Sequence, residues 1–215
     1  TKSQGYYLAF LDADDIWMCN KLEVQLSQII SKNVDLIFCA AYVMDSESVV
    51  DKNNILIGHH GFLSYDNGLN KMIERNRVPI LTVLVKKDKV IQVGMFSEKT
   101  EIQNAEDVHL WIRLLLNKLI FYGSKQILAI YRIHKDSVSK TEKDSLKLYV
   151  NVLSDIGLNN KDINFKILYH LINKQNNDLE RLENEIKIFK KSFYYKIKSI
   201  SFKLKIKLKK ILLSK

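Results

Sequence analysis

The sequence predicts an α/β fold, a mixed sheet flanked by helices and followed by a helical carboxyl-terminal extension. Three observations carry this. The run "YYLAFL" ends in the acid cluster "DADD" and leads into a segment of helical period. Further strand-like runs then alternate with helical ones, and after residue 140 the sequence turns lysine-rich and helical without strand signals. Strand, loop and helix in succession are the unit of an α/β architecture.

Residues 6–11 read as a strand buried on both faces, with the acid cluster on the loop at its carboxyl end. Asn20 followed by Glu23 has the form of a capping box opening a helix whose Leu22, Leu26, Ile29 and Ile30 share one apolar face. "VDLIFCAAYVM" (34–44) is a second strand, and "ESVVDKNNILI" reads as a hairpin turning at Asn53-Asn54. A helix is expected near 66–75, then a strand "ILTVLV" (80–85) preceded by the single proline, Pro79, where a missing amide costs least. Asn104 or Ala105 begins a helix through about Asn117, and "LIFYG" and "ILAIYRIH" read as two more strands. Beyond 140, Leu179, Leu182, Ile186, Phe189 and Phe193 alternate by three and four, the seam of a short coiled coil or a docked helix.

Composition narrows the function classes. A chain of 215 residues with 47% hydrophobic and 27% charged residues can build one domain with a proper core, and no apolar run approaches the length of a membrane span. Cys19 and Cys39 lack metal-site spacing and are too few for a disulfide framework, so both read as buried thiols. The net charge of +10 is localised: eleven of the 34 Lys and Arg, and none of the 24 Asp and Glu, fall in residues 187–215. The body is near neutral, so the basic pI describes a partner of the tail and not the fold. The tail reads two ways: residues 200–208 alternate like a strand, while Phe193, Ile197, Ile200, Leu204, Leu208 and Ile211 line one helical face among lysines. Lys and Leu propensity and the lack of glycine favour a basic amphipathic helix (191–215), which suits an anionic membrane surface, the plainer reading being a solvated basic end.

Three motifs carry candidate chemistry. Asp12, Asp14 and Asp15 crowd four positions at a strand's carboxyl end, where carboxylate oxygens suit a hard divalent cation such as Mg²⁺ or Mn²⁺ that substrate phosphates complete; the plainer reading is a helix-capping turn. In "NAEDVHLWIRLL", Glu106 and Asp107 sit in a helix's first turn, and Asp107 shares a face with Trp111, an indole able to wall a sugar pocket or simply to fill the core. In "YRIHKDSVS", His134 ends a strand, where a neutral imidazole can complete a metal site or be a surface residue.

Taken in order, "GYYLAFLDADDIWMCNKLEVQL", "VGMFSE", "AEDVHLWIRLL" and "YRIHKDSVS" resemble the inverting family-2 glycosyltransferases of the GT-A fold, over residues 4–140. The resemblance implies a Rossmann-like GT-A sheet and a metal-dependent enzyme that moves a hexosyl or N-acetylhexosaminyl group from a nucleotide-diphosphate sugar, a UDP-sugar first, to an acceptor hydroxyl. It implies that Asp12, with Asp15 adjoining, faces the nucleotide's ribose and diphosphate, and that Asp14 and His134 hold Mn²⁺ or Mg²⁺. Gly94 would match the glycine loop, Asp107 the general base, and Glu106 and Trp111 the acceptor side. Family members begin with a strand, helix and second strand that bind the base, so the chain reads as an amino-terminally truncated fragment. The expected layout is residues 1–140 as the carboxyl-terminal part of a GT-A domain, 141–190 as helical extension and 191–215 as basic tail. Glycan or lipid-linked acceptors, polysaccharide or glycolipid synthesis and a cytoplasmic site on the inner face of the membrane follow from the same resemblance. The competing readings are a metal-dependent phosphoryl or nucleotidyl transferase, an inactive fragment, and a basic nucleic-acid or membrane-binding module. The first predicts neither the Asp107–Trp111 helix nor His134. A nucleic-acid partner is not expected from a near-neutral body without a recognisable binding motif.

Overall fold

The computed structural model describes residues 2–133 and 142–157, with isolated helical positions at 180, 181, 184, 187 and 191. The chain divides into two compact units, Thr1–Ile167 and Leu168–Lys215. In the second unit, the five described positions are helical and exposed. His134, the seam residues Leu179, Leu182, Ile186, Phe189 and Phe193, and the apolar face of the tail lie outside the described residues. No helix among the described residues is long and apolar enough to cross a membrane.

Two long strands, β3 (Leu36–Met44) and β7 (Phe121–Arg132), form the parallel centre of a seven-stranded mixed sheet. Their length follows from β-branched and aromatic sequence that can be buried on both faces. Short antiparallel strands flank them. On the outer edge of β3, β6 (Leu84–Lys86) pairs its start and β4 (Val50–Leu56) its end. On the outer edge of β7, β5 (Gly61–Leu63) pairs the start and β2 (Ile16–Trp17) the end. Strand β1 (Tyr7–Ala9) pairs β6 and closes the order β1-β6-β3-β7-β2.

Helices α1 (Lys21–Ser31), α2 (Tyr65–Glu74), α3 (Lys87–Gln92), α4 (Glu106–Leu116) and α5 (Glu142–Gly157) accompany this sheet. The sequence signals for α2 and α4 are met closely: the Ser64 N–H donates to Asn67 Oδ1 at the start of α2, and α4 buries Val108, Leu110, Trp111, Ile112, Leu114 and Leu115. Helix α5 packs against α4 and the turn at Thr100–Ile102 through Val152, Leu153 and Ile156, all buried.

Several local expectations are corrected. The hairpin does not turn at Asn53-Asn54, which lie inside β4. It turns at 45–49, where Asp45 Oδ1 accepts the N–H groups of Glu47 and Val49 and Ser48 takes φ 67°. This side-chain turn competes successfully with the Asn pair. "ILTVLV" is not one strand, because Pro79 leads into a 3-10 turn at Ile80–Thr82 before β6 begins. The two expected strands around "FYG" and "ILAIYR" are one continuous strand, β7, its irregularity absorbed as a register shift opposite Phe38 to Ala41. The first strand is short, with Tyr6 and Leu11 exposed. Cys39 is buried as expected, but Cys19 is exposed.

Helix α1 shows the largest difference. Leu22, Leu26 and Ile30 are exposed, and the buried face is Lys21, Gln25 and Ile29. The cause is the turn after Pro79, whose carbonyls need donors. Gln25 Nε2 donates to Thr82 O at 2.7 Å, Lys21 Nζ to Val83 O at 3.4 Å, and Trp17 Nε1 to Leu81 O at 2.9 Å. Lys21 Nζ also donates to Gln25 Oε1 and lies 4.3 Å from the centroid of the Trp17 ring.

Candidate active site

The acid cluster sits at the carboxyl ends of the two central parallel strands, where open α/β sheets place ligands. The Asp15 N–H closes a turn on Asp12 O, and Asp12 and Asp14 are exposed. Asp15 is only 8% exposed: its Oδ1 accepts the Arg132 N–H at 2.9 Å, while its Oδ2 is buried with no partner among the described residues. Burial pushes the Asp15 carboxyl up to about 6, opposed by the Arg132 N–H and reinforced by Asp14 and Asp12. The Arg132 side chain fastens the same loop, with Nε donating to Asp14 O at 3.0 Å and Nη1 to Asp45 O and Ser48 Oγ. Arg132 ends β7, two residues before His134 in the chain.

The second acidic motif opens α4. Asp107 Oδ1 accepts the Val108 N–H at 2.6 Å, and Oδ2 accepts from Asn76 Nδ2 at 2.8 Å. Burial raises the Asp107 carboxyl above the usual carboxylate range, and these two donors pull against that rise. One turn along α4, Trp111 is 0% exposed and its Nε1–H donates to Val78 O at 3.0 Å. Trp111 is therefore corrected from a pocket wall to a core residue: its indole anchors the 76–78 loop and offers no face to a ligand. Glu106 is half-buried in the first turn beside Asp107. Gly94 takes φ +87°, a conformation that favours glycine, in a loop whose Val93 and Met95 carbonyls accept from the Arg113 guanidinium of α4.

These segments are in mutual contact. The Phe10 ring, two residues before the acid cluster, lies edge-on to Phe96 at 5.4 Å between centroids and tilted against Trp111 at 6.2 Å. Phe10 thus joins the acid cluster to the Gly94 loop and to the α4 helix, and Arg132 joins the cluster to the end of β7. Among the described residues no three His, Cys, Asp or Glu side chains form a cluster able to hold a metal ion.

Solved structures with a similar fold include Staphylococcus aureus TarS, residues 1–349, at TM-score 0.54 and 15% identity over 80% of this chain and 47% of that one. The chain has a GT-A-like glycosyltransferase fold. A TarS structure in complex with UDP-GlcNAc matches at TM-score 0.54 and 14% identity, over 79% of this chain and 49% of that one. The GT-A-like chain is also similar in sequence to TuaG of Bacillus subtilis, named as a teichuronic acid biosynthesis glycosyltransferase, at 30% identity over 68% of this chain and 54% of TuaG. WfgD of Escherichia coli, named as a UDP-Glc:alpha-D-GlcNAc-diphosphoundecaprenol beta-1,3-glucosyltransferase, is 28% identical over 71% of this chain and 56% of its own. The chain spans about half the length of these curated relatives. No family model matches it.

Within the GT-A-like frame, two residues at the candidate site carried no expectation. Arg132 lies inside "YRIHKDSVS", a motif that drew attention only to His134. Asn76 is 31 residues from Asp107 in a loop without periodicity, and no local signal pairs them.

Proposed function

We propose that this chain is part of a family-2 inverting glycosyltransferase that transfers a sugar from a UDP-sugar to a hydroxyl of a lipid-linked or polysaccharide acceptor with the help of a divalent cation. The observation that supports this best is the Phe10 contact, which brings the acid cluster and the Asp107 helix to one region of the sheet's carboxyl edge. A donor site and an acceptor base must be neighbours for one displacement to connect them.

The acid cluster supplies oxygen donors of the kind a hard cation takes, and the described residues alone do not complete its set. Asp12 and Asp14 are exposed carboxylates, and the buried Asp15 Oδ2 has no partner among the described residues. Asp14 and, by the family resemblance, His134 would hold Mn²⁺ or Mg²⁺, with Asp12 toward the nucleotide. The cation would stabilise charge on the departing diphosphate. The chain's own part in the chemistry falls to Asp107. Its carboxylate takes the acceptor hydroxyl's proton as the new bond to the anomeric carbon forms and the bond to the diphosphate oxygen breaks. A single displacement inverts the anomeric centre and needs no enzyme nucleophile. Gly94 and Glu106 would border the site, Gly94 toward the donor and Glu106 toward the acceptor. The named substrates of WfgD and the UDP-GlcNAc complex of TarS make UDP-sugars and diphosphate-linked lipid acceptors the first to try. The basic tail, 191–215, would hold the enzyme peripherally on the inner face of the cytoplasmic membrane.

Calorimetric titration with UDP and Mn²⁺, repeated without metal and with Asp14→Ala, tests the donor half. Binding that requires both metal and Asp14 is the expected result. Equal binding without either would remove the cation from the proposal.

A further inference from the structure

We infer that Asn76 is the positioning residue of the acceptor base, aiming the Asp107 carboxylate through its Nδ2 donor. This deepens the assignment of Asp107 as base and rests on it. The amide can be oriented only one way. Asn76 Oδ1 accepts the Val78 N–H at 3.0 Å, so Nδ2 is the end that faces Asp107, and it donates to Oδ2 at 2.8 Å. An amide turned the other way would set its carbonyl oxygen against the carboxylate and its NH₂ against the Val78 N–H, two repulsive contacts in place of two hydrogen bonds.

The loop that carries Asn76 is held independently of that hydrogen bond. Arg77 O accepts the His59 N–H, Val78 O accepts the Trp111 indole, and Val78 is fully buried. Gly58 lies so close that a Cβ there would meet Arg77 O at 2.2 Å, which fixes the loop's height above the neighbouring segment. Asn76 itself is exposed. Its amide also accepts the Val78 N–H, but the loop has these further anchors, so Asn76 is presented to Asp107 by a frame held at several other points, the arrangement expected of a supporting group in a preorganised site.

The chemical consequence follows from counting lone pairs. Asp107 Oδ1 receives the Val108 N–H and Oδ2 receives Asn76 Nδ2, one donor each, so each oxygen retains one in-plane lone pair to accept the acceptor's proton. With each oxygen held by one donor, the plane of the carboxylate and the direction of the remaining lone pairs are fixed. Burial works against the charged form of Asp107, and Glu106 in the same turn adds repulsion. Glu106 is the charged group that acts on it; Val108, Asn76 and the main chain of Asp107 itself supply the neutral donors that favour ionisation. Without Asn76 the carboxylate loses its one side-chain donor, keeps the main-chain donors, and gains freedom about χ2.

The decisive measurement is the carbon-13 titration of the Asp107 side-chain carboxyl by NMR in the wild-type chain, Asn76→Ala and Asn76→Gln, with circular dichroism confirming the fold of each. Expected is a midpoint displaced to higher pH in Asn76→Ala and partly restored in Asn76→Gln. An unchanged midpoint in Asn76→Ala overturns the inference. A parallel transfer assay on the full-length enzyme, with UDP-glucose and UDP-GlcNAc as donors, separates this from failure of the base assignment. There, Asn76→Ala should lower kcat/KM about tenfold or more at neutral pH, with recovery as pH rises and unchanged UDP affinity. Asp107→Asn at full activity would remove the base itself, and the positioning role with it. An inactive Asp107→Asn beside an unshifted Asn76→Ala profile would remove only the positioning role.

Discussion

Helices α1 and α4 each follow or begin with an acidic motif, and each is amphipathic in sequence, yet they are seated in opposite ways. Helix α4 buries its apolar face, is tied to the 76–78 loop through Trp111 in its second turn, and has Asp107 of its first turn held by Asn76, so Asp107 is built into the framework. Helix α1 buries Lys21 and Gln25 and leaves Leu22, Leu26 and Ile30 exposed, Ile30 to 64%. The acid loop before α1 is fastened from outside, by Arg132 at the end of β7. The contrast separates two demands on carboxylates. On the proposed roles, a base gains from a fixed orientation, whereas acids meant to meet a cation and a diphosphate need the solvent access that Asp12 and Asp14 have.

The largest expected effect breaks the α4 side. In the full-length enzyme, Asp107→Asn should lower transfer about 10²- to 10⁴-fold while UDP binding is retained. A loss of UDP binding of the same size would place Asp107 in the donor site and dissolve the division of labour. Next is Trp111→Ala, which should destabilise the chain by about 3–5 kcal/mol in urea unfolding, since it empties a core position and leaves Val78 O without its donor. A change under about 1 kcal/mol would mean that α4 is not anchored as the packing indicates.

Arg132→Ala tests the other side and should act mainly on order. It removes the hydrogen bonds to Asp14 O, Asp45 O and Ser48 Oγ but keeps the main-chain donor to Asp15. A loss of about 1–3 kcal/mol is expected, with faster amide exchange confined to residues 13–15 and 45–48. Arg132→Lys should recover little, because an ammonium cannot repeat the guanidinium's fork to three oxygens. Exchange that is faster throughout the sheet would show that Arg132 supports the core and not the loop.

The same contrast explains what was legible in the sequence. Helix α4 was readable because its period, its terminal acids and its burial all agree. The acid cluster was readable because three carboxylates at a strand end are locally unusual. Helix α1 was readable as a helix but not in its rotation, because the residues that set it, Lys21 and Gln25, answer to carbonyls of residues 82 and 83 on a distant turn. Asn76 and Arg132 were missed for the same reason. Each acts through a partner far along the chain, Asn76 on Asp107 and Arg132 on Asp14 and Asp15, and neither contact leaves a periodic trace. The break of "ILTVLV" at Pro79 could have been anticipated, since the residues after a proline are free to enter a turn.

The smallest expected effect is a pH signature of α1 itself. Lys21 is 0% exposed, and burial lowers its ammonium from 10.5 to about 8, partly countered by Cys39. Well below pH 8 both folded and unfolded chains carry the proton, so there Lys21 adds no pH dependence. Between about 8 and 10.5 the folded state releases it first, the unfolded state binds more protons, and stability rises with pH. Cys39 acts oppositely: burial raises its thiol from 9.0 to about 11, so from 9 upward the unfolded thiolate lowers stability. Lys21→Met keeps Cys39, so the difference between it and wild type from pH 8 to 9 reads chiefly Lys21. Across that interval, urea unfolding should show wild-type stability rising relative to Lys21→Met by about 1 kcal/mol, below the limit of roughly 1.4 kcal/mol per pH unit for one proton. Parallel curves for the two proteins would mean that the Lys21 ammonium reaches solvent and that α1 is rotated to bury its leucines after all.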